Sequence, residues 1–504
     1  MTARRKSKGS GKSSPRSQSK RKRDPSTRRG SEGERASSTR SESDSLGSIE
    51  IPADRYWGAQ TERSRRNFAI GDERFPREFI RALGLIKRAA ACANAQLGAL
   101  SDAKRRAICE ASDEVIDGAL DAHFPLVVWQ TGSGTHTNMN ANEVIANRAN
   151  QRLGGALGAK QPVHPNDDVN RSQSSNDVIP SAMHVAASEQ IQAQLLPALR
   201  GLRDQLERKA REFEPVVKLG RTHLMDATPL RAGDEWATFA RQLGAATRDV
   251  ERALDALFDL PLGGTAVGTG LNAPAGFDRA AVALLAQATG LGFRAARDKF
   301  DAIAGHAAIA AVHGALRGVA IALLKIANDV RLLASGPRGG LGELALPANE
   351  PGSSIMPGKV NPTQSEALIM VCIQVIANDV AVSIAAAGGQ LQLNACKPLL
   401  AFDLLNSIRW LAAAARSFGE HCIAGIELRR ATIERQLSHS LMLATALAPR
   451  IGYDAAARVA QKAHAENTTL RDAAIALGVI DAASFDELVR PEAMLGPADR
   501  APRD

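Results

Sequence analysis

One loop sequence stands directly before a long apolar segment: Gly352-Ser353-Ser354-Ile355-Met356-Pro357-Gly358-Lys359-Val360-Asn361-Pro362. Glycine permits backbone angles that other residues avoid and proline fixes φ, so the pattern predicts a loop. A helix is predicted to begin near Thr363, and its free N–H groups, together with Lys359, favour binding of a carboxylate or phosphate. Taken alone, the segment could also be an ordinary surface loop between two helices.

The order of residues in this loop resembles the signature of the fumarase/aspartase superfamily, lyases that release fumarate from a substituted succinate. Pro357-Gly358-Lys359 followed by Asn361-Pro362-Thr363-Gln364 is similar to class II fumarases, because aspartases usually carry Ala where Gly358 stands. The resemblance covers nearly the whole chain from about Ser45 onward. It implies a mainly α, three-domain fold whose central five-helix bundle assembles into a tetrameric helical core.

The resemblance also implies an activity. A class II fumarase is a hydro-lyase that reversibly hydrates fumarate to (S)-malate, a step of the tricarboxylic acid cycle, as an iron-independent homotetramer without a cofactor. The nearest alternative keeps the fold and changes the substrate, as in an aspartase or an argininosuccinate-type lyase. A non-catalytic structural relative is a further alternative, and loss of Ser353, His223 or Lys359 would mark it; all three are present.

The positive charge of the chain is confined to its first 44 residues. That segment holds 14 Lys and Arg against 5 Asp and Glu, which accounts for the whole net charge of +9 and leaves the remainder neutral. Because it has almost no apolar residues, residues 1–44 are predicted to be a disordered extension. It could bind nucleic acid or another polyanion, or it could be a solvated tail with no partner.

Cysteine usage and hydropathy bear on location. The five cysteines show no C-x-x-C spacing and no clustered histidine, so no metal or iron–sulfur site is expected and a reducing, cytoplasmic environment is predicted. The most apolar stretch, residues 367–387, contains Gln374, Asn378 and Asp379. These polar residues favour a helix buried in protein over a membrane span.

Apolar periodicity predicts the domain organisation. An N-terminal domain is predicted for residues 45–173, a bundle of long helices for residues 174–430, and a small helical C-terminal domain for residues 431–504. One stripe recurs at helical spacing and comprises Ile191, Leu195, Leu199, Leu202, Leu206, Ala210 and Phe213. Further long helices are predicted near residues 236–257, 298–335, 363–387 and 398–423. The helix predicted near residues 363–387 is apolar on nearly every side. We therefore expect the bundle to associate with other copies of the chain.

Four polar clusters lie where these helices begin or end: residues 131–140, 163–177, 220–229 and 352–366. Hydroxyl, amide and lysine groups at such positions can hold the carboxylates of a dianion. The first could also be an ordinary N-cap loop, and the second a surface turn. The candidate substrate-binding residues are Ser133, Gly134, Thr135, Ser174, Ser175, Asn176, Thr222, Ser354, Lys359, Val360 and Asn361.

Elimination of water from malate requires a base for a weakly acidic carbon proton, an acid for the departing hydroxyl and donors for a dianionic enolate. The family resemblance implies that Ser353 removes the carbon proton and that His223, paired with Glu366, acts on the water side. The sequence does not settle which residue carries which proton. Residues His164, Pro165, Asn166 and Asp167 match the accessory dicarboxylate site of class II fumarases.

Three positions depart from the family pattern. His136 stands where Gln is common, Thr137 where Ser is usual, and Ser365 where Cys often follows Gln364. The first could alter the pH dependence, because an imidazole titrates near neutrality.

Overall fold

The structure is a computed structural model that describes residues 38–496. Within this range most residues are helical, and the strands pair into five two-stranded ribbons. The proposed polyanion-binding segment lies outside the described residues except for its last seven. Those seven correct the predicted boundary of the extension.

The extension was predicted to be disordered to residue 44, but its last residues form a strand. Strand β1 (Thr39–Asp44) pairs antiparallel with β2 (Gly47–Pro52). The guanidinium of Arg40 donates to Glu42 Oε1 at 2.6 Å and to the carbonyl oxygens of Arg55 and Trp57 at 2.6 and 2.8 Å. These bonds tie β1 to the folded domain, so the structured part begins before Ser45.

The region predicted as the N-terminal domain contains four α-helices between residues 45 and 173. They are α1 (Ala59–Asn67), α2 (Arg77–Gln96), α3 (Asp102–Ile116) and α4 (Thr135–Arg152). Helix α2 is the central one, because it packs against α3 and against the later helices Ser175–Gln190 and Phe277–Thr289.

The long helices of the central region follow. They are α5 (Ser175–Gln190), α6 (Leu196–Phe213), α7 (Ala232–Leu254), α8 (Phe277–Thr289), α9 (Lys299–Ala304), α10 (Ala307–Leu333), α11 (Thr363–Ala387) and α12 (Lys397–His421). A π-helical turn, Ile191–Leu195, joins α5 to α6. The helix predicted over 298–335 is divided, since Gly305 is extended and separates α9 from α10.

One continuous apolar cluster fills the N-terminal and central regions. The predicted stripe of α6 is buried, including Leu199, Leu202 and Leu206. Across from it, Trp236 of α7 is fully buried and packs edge-on against Phe213, with ring centroids 5.2 Å apart. Since α6, α7, α10, α11 and α12 pack against one another, the predicted five-helix bundle is confirmed.

One bundle helix, α11, carries an apolar face that this chain does not cover. On α11, Met370, Ile373, Val380 and Ile384 are each more than half exposed. By length and composition α10 and α11 could each cross a membrane. However, Asp379 of α11 is buried and bonded to His313 and Arg317 of α10, which fits a helix packed among helices.

Five short helices complete the fold: α13 (Arg430–Ser438), α14 (Ala448–Ile451), α15 (Tyr453–Glu466), α16 (Leu470–Ala476) and α17 (Ala482–Leu488). They enclose a second, smaller apolar cluster that extends from Leu437 to Phe485. The predicted domain boundaries at 173/174 and 430/431 stay predictions, because one apolar cluster spans the first of them.

The remaining strands are short and lie in the segments that connect the helices. They are β3 (Val217–Thr222), β4 (Met225–Arg231), β5 (Asp259–Leu260), β6 (Arg294–Ala295), β7 (Leu344–Ala345), β8 (Gly389–Gln390), β9 (Leu393–Asn394) and β10 (Glu427–Leu428). The β3–β4 hairpin is the longest of the central ribbons, and it was not predicted. It carries one of the candidate catalytic residues.

Candidate active site

A polar cavity of about 400 Å³ opens where α4 and α5 begin. Helix N-termini expose backbone N–H groups and favour negative charge, so two of them at one cavity suit an anion. Its lining comprises Gln60, Thr135, Asn138, Met139, Asn166, Asn170, Ser172, Gln173, Ser174, Ser175, Thr265, Ala266, Leu271 and Asn272. No Asp, Glu, Lys, Arg or His is among these residues, so hydroxyl and amide groups dominate the polar surface.

The start of α4 brings one predicted residue, Thr135, into the lining of this cavity. Gly134 precedes the helix with φ of 75°, a left-handed angle that glycine adopts without strain. The Thr135 and Ser175 hydroxyls are hydrogen-bonded to each other, which joins the first residues of α4 and α5. Ser133 Oγ accepts from the Thr135 N–H at 3.3 Å. Ser133 and Gly134 therefore shape the cavity without lining it.

A capping box fixes the start of α5. Ser174 Oγ accepts from the Asn176 N–H at 3.2 Å, and the Asp177 carboxylate accepts from the Ser174 N–H at 2.9 Å. Burial raises the pKa of Asp177 to about 6, against the lowering effect of its backbone donors. The other carboxylate oxygen of Asp177 accepts from the N–H groups of Gly263 and Thr265 at 2.9 and 2.8 Å.

The loop held by Asp177 forms a wall of the cavity that was not predicted from the sequence. Thr265, Ala266, Leu271 and Asn272 line the cavity, and Asn176 Nδ2 donates to the Ala266 carbonyl at 2.8 Å. The available signal was the glycine-rich run 263–270, which resembles a loop built for close backbone approach. Its distance from α5 in sequence concealed the contact.

A buried lysine supports the back of the cavity. Lys87 of α2 is fully buried, and its Nζ donates to Asn170 Oδ1 at 2.9 Å and to Gln173 Oε1 at 3.0 Å. Burial lowers the pKa of Lys87 to about 7, and the charge of Asp177 opposes this shift. The amine therefore fixes two lining side chains and places a partial positive charge behind them.

A buried carboxylate positions a third lining residue, Gln60. Glu143 of α4 accepts from the Gly58 and Gln60 N–H groups at 2.8 and 2.9 Å and from the Thr61 hydroxyl at 2.6 Å. Burial raises the pKa of Glu143 to about 7, although these donors lower it. The carboxylate thus joins the N-terminus of α1 to α4 by hydrogen bonds and holds Gln60 at the cavity.

His223 lies between α6 and α7 as predicted, and the segment that joins these two helices is the β3–β4 hairpin, with His223 at its tip. Its φ is 57° and that of Leu224 is 62°, the positive values that a two-residue type I′ turn requires. Arg221 at the base of the tip forms an ion pair with buried Glu343, which also lies 2.6 Å from the Lys218 amine. Thr222 and His223 are exposed in the single chain.

The loop of residues 352–361 is closed on itself by backbone contacts. The Gly352 N–H donates to the Lys359 carbonyl at 3.1 Å, and Asn361 Nδ2 donates to the Gly352 carbonyl at 2.7 Å. A Cβ at Gly352 would collide with the Lys359 carbonyl oxygen, so glycine is needed there. Ser354, Lys359 and Val360 are exposed.

Ser353 has a distinctive environment within this loop. Its Oγ accepts from the Ile355 and Met356 N–H groups at 3.2 and 3.0 Å. Hydrogen bonds donated to an oxygen stabilise negative charge on it. Glu366 is exposed in the first turn of α11, which begins at Thr363 as predicted.

The predicted site is therefore distributed over three places in one chain. Thr135, Ser174 and Ser175 line the cavity with Asn166, whereas neither the His223 hairpin nor the Ser353 loop contributes to its lining. The structure of the single chain thus brings together the first two predicted clusters only.

The predicted accessory residues surround a short π-helix, Pro165–Val169. His164 Nδ1 accepts from the Asn166 and Asp167 N–H groups at 3.2 and 3.1 Å. His164, Pro165 and Asn166 also line a second cavity of about 30 Å³, which is too small for a dicarboxylate. A dicarboxylate held by all four residues would therefore bind on their outer surface, where Asp167 is exposed.

His136 and Thr137 point away from the cavity lining. His136 Nδ1 lies 2.9 Å from Ser64 Oγ, and its ring centroid is 5.4 Å from that of Phe68. Burial lowers the pKa of His136. Thr137 Oγ1 donates to Gln130 Oε1 at 3.0 Å. Both departures from the family pattern therefore serve packing between α4 and its neighbours.

Within residues 38–496, no three His, Cys, Asp or Glu side chains are grouped so that they could hold a metal ion.

Comparison with known proteins identifies the family to which this chain belongs. A family model described as lyase matches residues 47–377, and a model described as fumarase C C-terminus matches residues 443–496. The chain is 57% identical to a class II fumarate hydratase of Bradyrhizobium diazoefficiens over 91% of this chain and 97% of the relative. It is 55% identical to a mitochondrial fumarate hydratase of Rhizopus oryzae over 91% of this chain and 93% of the relative.

A solved structure agrees with these relatives. The crystal structure of a class II fumarase from Schistosoma mansoni superposes with a TM-score of 0.88 at 44% identity, covering 92% of this chain and all of that one. Sequence similarity over nearly the full length and the shared fold lead to one conclusion: the chain belongs to the class II fumarate hydratases, in the fumarase/aspartase superfamily of lyases.

Proposed function

We propose that this hydro-lyase interconverts fumarate and (S)-malate with Ser353 and His223 as its proton-transfer groups. The observation that carries the proposal is the cavity where α4 and α5 begin, whose hydroxyl and amide lining suits a carboxylate. Thr135, Ser174 and Ser175 would bind one carboxylate of the substrate. Ser133, Gly134 and Asn176 would keep these donors in place through their own hydrogen bonds.

The loop of residues 352–361 would supply the base and the cation. Removal of the carbon proton of malate creates a dianionic carboxylate enolate, whose charge needs preorganised donors. The exposed Lys359 amine and the Asn361 amide would bind this carboxylate, with Ser354 and Val360 completing the loop surface. The two N–H groups that donate to Ser353 Oγ support its role as a base, because they stabilise an oxyanion.

His223 would act on the water side, with Thr222 beside it as a substrate donor. The hairpin that carries it is anchored by the Arg221–Glu343 ion pair, which leaves the imidazole projecting at the tip. Glu366 would orient the imidazole, directly or through a bound water. In hydration the same groups work in reverse: one activates the water and the other returns a proton to carbon.

We further propose that each active site is shared between subunits of a homotetramer. The cavity, the hairpin and the loop would meet only when copies of the chain assemble, since the last two do not line the cavity of their own chain. The apolar face of α11, with Met370, Ile373, Val380 and Ile384 exposed, supports a second copy as the occupant.

Four finer assignments stay proposals. His164, Pro165, Asn166 and Asp167 would form the accessory dicarboxylate site on their outer surface. Participation in the tricarboxylic acid cycle and a cytoplasmic location follow from the proposed reaction and the reducing environment predicted from the cysteines. Binding of nucleic acid or another polyanion by the basic N-terminal segment would appear as salt-dependent binding that is lost when residues 1–37 are deleted.

The activity is tested by ultraviolet absorbance of fumarate formed from malate by purified protein in the presence of a chelator. We expect fumarate to appear, and malate to form when fumarate is supplied. Release of fumarate from aspartate or from a larger succinyl adduct, with none from malate, would overturn the proposed reaction while leaving the fold unaffected.

Lys87→Met is expected to raise the KM for fumarate by about tenfold or more, with a smaller change in kcat. The substitution removes two hydrogen bonds from a charged donor, each worth roughly 1.5 to 3 kcal/mol, and frees Asn170 and Gln173. Steady-state kinetics and a thermal melt measure the effect and the folding. Lys104→Met is the matched control, because Lys104 pairs with Asp168 outside the cavity lining. An unchanged KM in folded Lys87→Met would contradict the role.

His136→Gln is expected to leave kcat/KM nearly unchanged at neutral and alkaline pH. A histidine with a lowered pKa protonates only at more acidic pH than usual, so the ring is neutral under these conditions in the native chain. The pH profiles of both proteins are therefore predicted to coincide above the ordinary histidine range. A shift of the neutral limb of the profile in the variant would show that His136 reaches the reacting groups.

A further inference from the structure

Two cysteines on adjacent helices of the N-terminal domain lie in sulfur contact. Cys92 of α2 and Cys109 of α3 have their Sγ atoms 3.4 Å apart. A disulfide bond measures about 2.05 Å, so closure requires the two sulfur atoms to approach by about 1.4 Å. No hydrogen bond joins any other two of the five cysteines, all of which lie within residues 38–496.

The two thiols are unequal in access and in charge. Cys92 is partly exposed, whereas Cys109 is buried. The hydrogen bond from Cys109 lowers the pKa of Cys92, and the nearby guanidinium groups of Arg105 and Arg88 add to this effect. The same contact and burial raise the pKa of Cys109. Cys92 is thus the accessible thiolate and Cys109 the protected partner, the arrangement of an attacking and a resolving thiol.

We propose that Cys92 and Cys109 form a redox-active pair that is oxidised to an intramolecular disulfide by small-molecule disulfides. The Cys92 thiolate attacks one sulfur of the oxidant, the oxidant's S–S bond breaks, and one thiolate leaves. The departing thiolate takes the proton of Cys109, whose sulfur then attacks Cys92 Sγ and expels the second thiolate. Two protein thiols are oxidised to one disulfide, and one disulfide is reduced to two thiols.

The disulfide would join α3 to α2, the helix that supports the cavity. α2 also carries Lys87, which holds Asn170 and Gln173, and Asn94, whose Oδ1 accepts from Ser172 Oγ at 2.6 Å. Cys92 therefore lies on the same helix as two residues that hold the cavity lining in place. Disulfide formation can be tested independently of the proposed reaction, because the test measures the covalent state of the two cysteines.

Native full-length protein treated with glutathione disulfide provides the test. We expect the intact mass to fall by that of two hydrogen atoms, and trypsin to release a peptide pair joined through Cys92 and Cys109. Lys104, Arg105 and Arg106 lie between the two cysteines, so trypsin separates them unless they are bridged. Reduction with a dithiol should restore the original mass.

Three variants make the test specific. Cys109→Ser should stop at a glutathione adduct on Cys92, and Cys92→Ser should leave Cys109 as a thiol. Cys396→Ser is the matched control, since Cys396 is also partly exposed but has no partner thiol, and it should leave the bridge unaffected. Native protein that keeps both thiols, or that accumulates glutathione on Cys92 without forming the bridge, would overturn the proposal.

Discussion

Ser353→Ala is expected to lower kcat for malate dehydration by about two decades or more, a loss typical of removing an acid or base group, while KM stays close to wild type. The alanine removes the oxygen that would accept the carbon proton. It leaves Lys359 and Asn361 in the same loop to bind the carboxylate, which is why binding should survive. Fumarate absorbance under saturating malate measures the effect, and a thermal melt confirms that the variant is folded.

The neighbouring hydroxyl offers a matched control for this variant. Ser354 is exposed, whereas Ser353 Oγ accepts two backbone N–H groups, from Ile355 and Met356. Ser354→Ala should therefore raise KM with little loss of kcat, because Ser354 is proposed to bind and not to transfer a proton. If Ser353→Ala kept kcat within about tenfold of wild type, the assignment of the base would be wrong.

Much of the fold was predictable because local pattern and packing agree. The stripe of α6 and the apolar length of α11 each specified a helix, and both helices lie where predicted. The strand β1 was missed because Arg40, which ties it to the rest of the chain, donates to carbonyl groups more than ten residues away. Such bonds leave no periodic signal in a segment dominated by charge.

The site was predictable only where its residues stand in one motif. Thr135, Ser174 and Ser175 follow from hydroxyl-rich runs at helix starts, and the structure brings them together. Gln60 and Thr265 reach the same cavity through two buried carboxylates, Glu143 and Asp177, that accept backbone N–H groups from distant loops. Nothing in the sequence shows which distant loop either acid holds, so these walls could not be inferred from it.

Co-assembly of Ser353→Ala and His223→Asn subunits is expected to restore activity that neither variant has alone. Each single variant should lose about two decades or more of kcat, because each lacks one proton-transfer group. If a site takes its loop from one subunit and its hairpin from another, half of the loops and half of the hairpins are intact in an equal mixture. About a quarter of the sites then have both groups, so about a quarter of wild-type activity should return.

A second mixture distinguishes two explanations of restored activity: sites shared between subunits, and nonspecific stabilisation of the variant proteins by co-assembly. Ser353→Ala and Lys359→Met alter the same loop, so every loop in their co-assembly carries one defect and activity should stay at the level of the separate variants. Dual affinity tags select the mixed oligomers, and fumarate formation from malate is the readout for both mixtures. Restoration in neither mixture would place Ser353 and His223 of each site on one chain. Under the proposal that the loop and the hairpin of one site come from different subunits, we expect restoration in the first mixture alone.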